Sequence, residues 1–216
     1  MTNSQDTAAT TSTSNRAQQS ETQPALVLVN LGTPTAPEPG PVRAFLREFL
    51  SDRRVIEMSP LLWKPILEGI ILRVRPREVA GKYRSIWMDE GSPLMHYTRE
   101  QARLLGERLP GVRVEVAMRY GQPSIGSVLD HLYAEGVRRV AILPAYPQYA
   151  ASTVATINDA VAQWIGRNRD GFELRLHRSF PAAPAYIEAL ATALERHWER
   201  VGRPNFLTGD RVVVSF

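Results

Sequence analysis

The sequence predicts a doubly wound, parallel α/β fold, and two observations predict it. Short, nearly continuous apolar runs recur along the chain, which is how strands buried on both faces of a parallel sheet read. Amphipathic helical stretches separate these runs, so strand and helix alternate. In such sheets ligands bind beyond the carboxyl ends of the strands. The residues that follow each apolar run are therefore where chemistry is expected.

Residues 1–24 are rich in Ser, Thr, Gln and Ala, with little to bury, and read as a disordered tail. They lack the apolar stretch of a secretory signal, and Arg16 set against Asp6 and Glu21 does not make a transit peptide. Ala25–Leu31 (ALVLVNL) is the first strand, stopped by Gly32 and Pro34. Thr98 with Gln101 forms a capping box ahead of a helix reaching about Leu109. Arg113–Met118 is the next strand. Pro123 opens a helix that carries Ile125, Val128, Leu129 and Leu132 on one face. The strand Arg139–Leu143, the helix Ala151–Arg167, the strand Phe172–His177, the helix Ala185–Arg200 and the strand Arg211–Phe216 complete the alternation. The expected organisation is a tail over 1–24, a first domain over 25–171 and the beginning of a second over 172–216.

Leu61–Val74 (LLWKPILEGIILRV) departs from the pattern, being apolar on most sides with only Lys64, Glu68 and Arg73 charged. One reading is a core helix. The other is an apolar lip over a greasy ligand or a shallow peripheral membrane contact; Pro65 and Gly69 weaken a regular helix and favour the lip.

Hydrophobic residues make up 44 % of the 216, enough for a packed core, and no apolar run is long enough to span a membrane. The chain has no cysteine, hence no disulfide, thiolate site or iron–sulfur cluster, which fits a reducing, cytoplasmic setting. A net charge of +4 is spread among acidic residues, without the basic stripe and interleaved aromatics of a nucleic-acid binder, and suits a substrate bearing carboxylates.

No glycine-rich dinucleotide fingerprint, Walker loop or GxSxG is present, and His96, His131, His177 and His197 are scattered without metal-ligand spacing. No metal site or resident cofactor is expected within the chain. What is present gathers at strand ends. Arg119 and Tyr120 follow the second apolar run, Tyr146-Pro-Gln-Tyr149 follows the third, and Gly91-Ser92-Pro93 precedes a helix. A guanidinium fork matches a carboxylate, and a tyrosine adds an aromatic face with a hydroxyl. Together they suit a flat apolar ligand with acidic arms; separately, Arg-Tyr at a strand end is more often a surface arginine and a packed tyrosine, and Gly-Ser-Pro more often just a turn. Arg119 ends a predicted central strand, with Tyr120 on the opposite face.

Val29-Asn-Leu-Gly-Thr-Pro34, Lys82-Tyr-Arg-Ser-Ile-Trp87 with Gly91-Ser-Pro-Leu94, Ala117-Met-Arg-Tyr-Gly121, and Tyr146-Pro-Gln-Tyr149 with Ser152-Thr153 occur in an order and spacing that resemble the ferrochelatase family. The resemblance covers residues 25–216. It implies two similar Rossmann-like chelatase halves flanking a porphyrin cleft, the second only begun here. The implied reaction is insertion of Fe²⁺ into protoporphyrin IX to give protohaem, with the iron a substrate. Tyr83, Ser92, Arg119 and Tyr120 would line the cleft, Arg75 would join them, and Leu31 would touch the macrocycle face. The histidine and glutamate of the metal site belong to the second half. The chain ends at Val214-Ser-Phe216, ahead of that histidine, so this polypeptide is expected to be inactive. A stand-alone porphyrin-binding module and a chelatase for another tetrapyrrole stay open; oligomeric state is not legible.

Overall fold

The chain's apolar runs meet in one sheet. In a computed structural model describing residues 23–214, strands β1 (Ala25–Gly32), β2 (Arg113–Tyr120), β3 (Arg139–Pro144) and β4 (Glu173–Leu176) pair in the order β2-β1-β3-β4, all parallel. Val27 lies between Glu115 and Ile142, and Val29 between Ala117 and Pro144. Val27, Leu28 and Val29 are at most 4 % exposed, the two-sided burial that a continuous apolar run demands. The chain leaves β1 for β2 on one side, then returns across it to β3 and β4 on the other. The strand order thus reverses at β1/β3, where a crevice opens at the carboxyl ends.

Helices α1 (Pro39–Leu50), α2 (Pro60–Ile66), α3 (Leu72–Ile86) and α4 (Pro93–Arg108) fall between β1 and β2; α5 (Ile125–Ala134) and α6 (Thr156–Arg167) follow β2 and β3. The core sits between the sheet and the last two. Ile125, Leu129 and Leu132 of α5 and Ile157, Val161 and Trp164 of α6 are buried against Val27, Val29, Val140 and Ile142. Each such side chain contributes on the order of 1.5–3 kcal/mol. The Trp164 ring stacks on Phe172 at 4.8 Å, and its indole N–H donates to Asp130 at 2.7 Å.

Several expectations are revised. The tail over 1–24 lies, but for its last two residues, outside the described residues. Thr98 does not cap a helix: α4 starts five residues earlier at Pro93, behind Ser92. Thr98 is buried inside it and donates to the Leu94 carbonyl at 2.6 Å, so Ser92-Pro93 was the true start signal. The helix expected at Pro123 begins at Ile125, with Ser124 accepting from the Ser127 amide at 3.1 Å. β2 is an edge strand of this sheet, not a central one. Residues 211–214 are not a strand, and the last two residues of that expected strand lie outside the described region.

The expected boundary at 171 also shifts. β4 pairs with β3 from Arg139↔Glu173 to Ile142↔Leu176, and the His177 amide continues the ladder to the Ile142 carbonyl at 3.0 Å. The strand assigned to a second domain is thus the last of the first sheet. One compact unit runs to Arg178 and another begins at Ser179, the latter holding α7 (Pro184–Val201) and a short 3₁₀ turn at Phe206–Thr208.

Leu61–Val74 does not form a core helix. α2 carries Pro65, a π-helical turn covers Leu67–Ile71, and α3 follows. Leu67 and Leu72 are buried, whereas Leu61 is 87 % exposed, with Leu62, Ile70 and Val74 exposed as well. No helix among the described residues is long and apolar enough to cross a membrane.

Candidate functional site

Three strand ends converge at the sheet's carboxyl edge. β1 finishes at Leu31 and Gly32, with Gly32 beside Tyr120 of β2, while the Ala145 amide past β3 donates to the Val29 carbonyl at 2.7 Å. The close approach needs a glycine. Gly32 has φ +112°, and a Cβ there would lie 1.8 Å from the Tyr120 carbonyl oxygen. Gly121, at φ +85°, turns the chain out of β2 and donates its amide to Glu48 of α1 at 2.8 Å.

Arg119 and Tyr120 do not diverge as strand alternation predicts. Both reach Asp52, which follows α1: Arg119 Nη2 donates to Asp52 Oδ2 at 2.5 Å, and the Tyr120 hydroxyl donates to the same oxygen at 2.9 Å. The guanidinium lies 4.4 Å over the Tyr120 ring, a favourable cation–π stack. The Arg119–Asp52 ion pair is largely withdrawn from water, the two side chains 17 % and 9 % exposed. Burial pushes the Tyr120 phenol up to about 12. Arg119 Nε is buried without a hydrogen-bond partner.

Tyr83 connects to this group through α1. Its ring meets Phe45 at 6.5 Å, Phe45 stacks on Phe49 at 6.0 Å, and Phe49 abuts Tyr120 at 5.2 Å; on its other side Tyr83 meets Trp87 at 6.2 Å. Phe45 and Phe49 sit four apart on one helix face, so one helix joins residues 37 apart in sequence. Burial raises the Tyr83 phenol above its usual range.

Ser92 is buried, and its hydroxyl accepts from Thr33, the residue after Gly32, at 2.8 Å. Thr33, Pro34, Trp87, Ser92 and Gln122 border a cleft of about 230 Å³. Leu31 is half-buried at the end of β1. The Asn30 side chain accepts from the Leu31 amide at 2.8 Å and donates to Thr98 at 2.9 Å. The Tyr146 hydroxyl, beyond β3, is buried without a partner. Burial raises this phenol strongly. Arg75 stands apart, exposed on α3 two turns before Tyr83, with its charge acting on Glu78.

Five of the six expected site residues are thus tied, directly or through α1, to one sheet edge, and Arg75 is not. Sequence reading missed Asp52 and the Phe45/Phe49 pair. The phenylalanines' i,i+4 spacing was a visible signal; Asp52 had none, since it sits in a charged run that reads as solvated surface. It also missed the clamp beside Asp52. Arg54 grips Asp159 of α6 with two hydrogen bonds of 2.5 and 2.9 Å, holding that carboxyl below the usual range. Among the described residues no cluster of three or more His, Cys, Asp or Glu could hold a metal ion.

A family model described as Ferrochelatase matches residues 23–216. A protein named ferrochelatase from Methylibium petroleiphilum is 50 % identical over 196 residues, covering 89 % of this chain and 53 % of that protein. One from Azoarcus is 48 % identical over 194 residues, covering 88 % and 52 %. One from Yersinia enterocolitica is 46 % identical over 191 residues, covering 88 % and 58 %. The chain spans about half the length of the curated relatives it matches.

Proposed function

The chain belongs to the ferrochelatase family, and from that premise we propose that it forms the N-terminal portion of a cytoplasmic enzyme inserting ferrous iron into protoporphyrin IX to make protohaem. The observation that carries the reading is the convergence of the family-matched positions Leu31, Ser92, Arg119 and Tyr120 on one sheet edge, with Tyr83 joined to them through the ring path of α1.

In this reading the part described here binds and orients the porphyrin. Leu31 and the half-buried Tyr83 ring offer apolar surface to the macrocycle. The partly exposed Arg119 and the exposed Arg75 receive the propionates. Insertion exchanges two pyrrole N–H protons for one Fe²⁺, so a group must accept protons. Arginine stays protonated, and the Tyr120 phenol, pushed up to about 12, is also protonated at neutral pH, so neither is available to accept a proton. The resemblance implies a histidine and a glutamate of the second half at the metal site, and the proton and metal steps are assigned to them; no resident cofactor is proposed. Unit 2 is read as the beginning of the second chelatase half. Leu61, Leu62, Ile70 and Val74, exposed beside Lys64 and Arg73, are read as a peripheral membrane contact.

For the 216-residue polypeptide by itself the proposal is porphyrin binding without turnover. Titration with protoporphyrin IX in mild detergent is expected to give a saturable Soret shift, and incubation with Zn²⁺ or Fe²⁺ no metalloporphyrin above the protein-free rate. Absence of a saturable shift overturns the binding reading; metal insertion overturns the assignment of the metal step to another part.

A further inference from the structure

We propose that Asp52 is the positioning residue of this cleft, holding Arg119 against the buried Tyr120 ring in the orientation in which the guanidinium meets the porphyrin. This rests on the porphyrin reading above. Asp52 Oδ2 takes both the Arg119 guanidinium at 2.5 Å and the Tyr120 hydroxyl at 2.9 Å. Asp52 Oδ1 takes the Arg54 amide at 2.8 Å. Its own carbonyl receives the amides of Val55 at 3.1 Å and Ile56 at 2.9 Å. The carboxylate is thus fixed by its own turn before it fixes the other two side chains, and Arg54 anchors that turn to α6 through Asp159.

The consequence is directional. A free arginine loses rotamer freedom when it meets a ligand carboxylate. Here Asp52 and the Tyr120 ring hold the guanidinium before any ligand arrives, and the 17 % of the Arg119 side chain that stays exposed is the part a ligand carboxylate reaches. Asp52 touches no substrate in this scheme; it acts through Arg119.

The test uses the 216-residue chain with Asp52→Ala and Asp52→Asn, the latter keeping side-chain volume. Arg119 Nε–H is followed by ¹⁵N NMR, assigned by its absence in Arg119→Lys. Affinities are measured for protoporphyrin IX and for its dimethyl ester, which lacks the acidic arms. The expected result is loss of the slowly exchanging Arg119 signal in Asp52→Ala and weaker protoporphyrin IX binding by about tenfold or more. Ester binding should hold, and Asp52→Asn should move the same way by less. Unchanged Arg119 signals in both variants overturn the proposal. So does equal weakening of both porphyrins, which would mark Asp52 as purely structural, and so does a freed Arg119 with diacid affinity intact. Wild-type chain that binds neither porphyrin, while its Arg119 signal still responds to Asp52, overturns the porphyrin reading and leaves the Asp52–Arg119 placement standing.

Discussion

At the scale of the residue, the sheet edge depends on backbone that no side chain advertises. Gly32→Ala would set a Cβ 1.8 Å from the Tyr120 carbonyl at a φ that L-residues rarely adopt. The β1–β2 pairing must then open where Leu31 and Tyr120 meet the cleft. The expected loss is on the order of 3 kcal/mol or more in denaturant unfolding; a loss below about 1 kcal/mol contradicts the close approach. Tyr146 makes the opposite case. Its hydroxyl is buried without a hydrogen-bond partner. Tyr146→Phe should therefore leave stability unchanged or raise it by about 1 kcal/mol at neutral pH. It should also change the alkaline limb. Burial lifts this phenol's folded-state value above that of the unfolded chain. Its contribution is then complete below about pH 10 and declines as pH rises further. Unfolding between pH 9 and 12 should show a shallower decline in Tyr146→Phe than in wild type. Arg119, Tyr120 and Ser92 were named by the order and spacing of the family motifs, since by residue type a surface arginine, a packed tyrosine and a turn account for them. Asp52 was not, because nothing local says which of several charged residues in a run will turn inward.

At the scale of the element, strands were easier to read than helix starts. An apolar run buried on both faces has one interpretation, and β1 and β3 begin at the predicted residues and end one residue beyond them. Helix starts compete. Thr98-x-x-Gln101 satisfies the capping pattern, but Ser92-Pro93 upstream satisfies another, and the helix that began earlier absorbed Thr98 into its interior. Leu61–Val74 shows the limit of periodicity: apolar on most sides, it admits burial or exposure, and only the tertiary fold decides. Leu67 and Leu72 turn inward while Leu61 and Leu62 stay out. If these two leucines contact lipid, Leu61→Ser with Leu62→Ser should reduce co-sedimentation with phosphatidylglycerol-containing vesicles several-fold. The melting temperature should hold, since neither side chain is buried. Unchanged sedimentation removes the membrane assignment.

At the scale of the whole molecule, alternation of strand and helix made the fold class legible, but not the strand order. Which strand lies at the edge depends on crossovers that leave no mark in any single segment. That is why Arg119 was expected on a central strand and is found on an edge strand, and why Phe172–His177 was assigned to a second domain. The sheet argues for a different boundary and so for a different stability. β4 pairs with β3 along its whole length, and Phe172 stacks on the fully buried Trp164. Removing the segment from 172 onward would strip one edge of the sheet and uncover that indole. Removal from Ser179 onward takes only unit 2, whose helix α7 has no buried residue. A chain ending at Arg178 should therefore unfold cooperatively, with a midpoint within roughly 3 °C of the 216-residue polypeptide, equivalent to about 1 kcal/mol at this size. A chain ending at Gly171 should melt at least about 8 °C lower or fail to fold, because it loses the β3–β4 ladder and the Trp164–Phe172 stack together. Calorimetry of the two truncations separates the boundaries. Similar midpoints for both would mean that β4 contributes little, and a large loss already at Arg178 would mean that the first unit needs the residues after it.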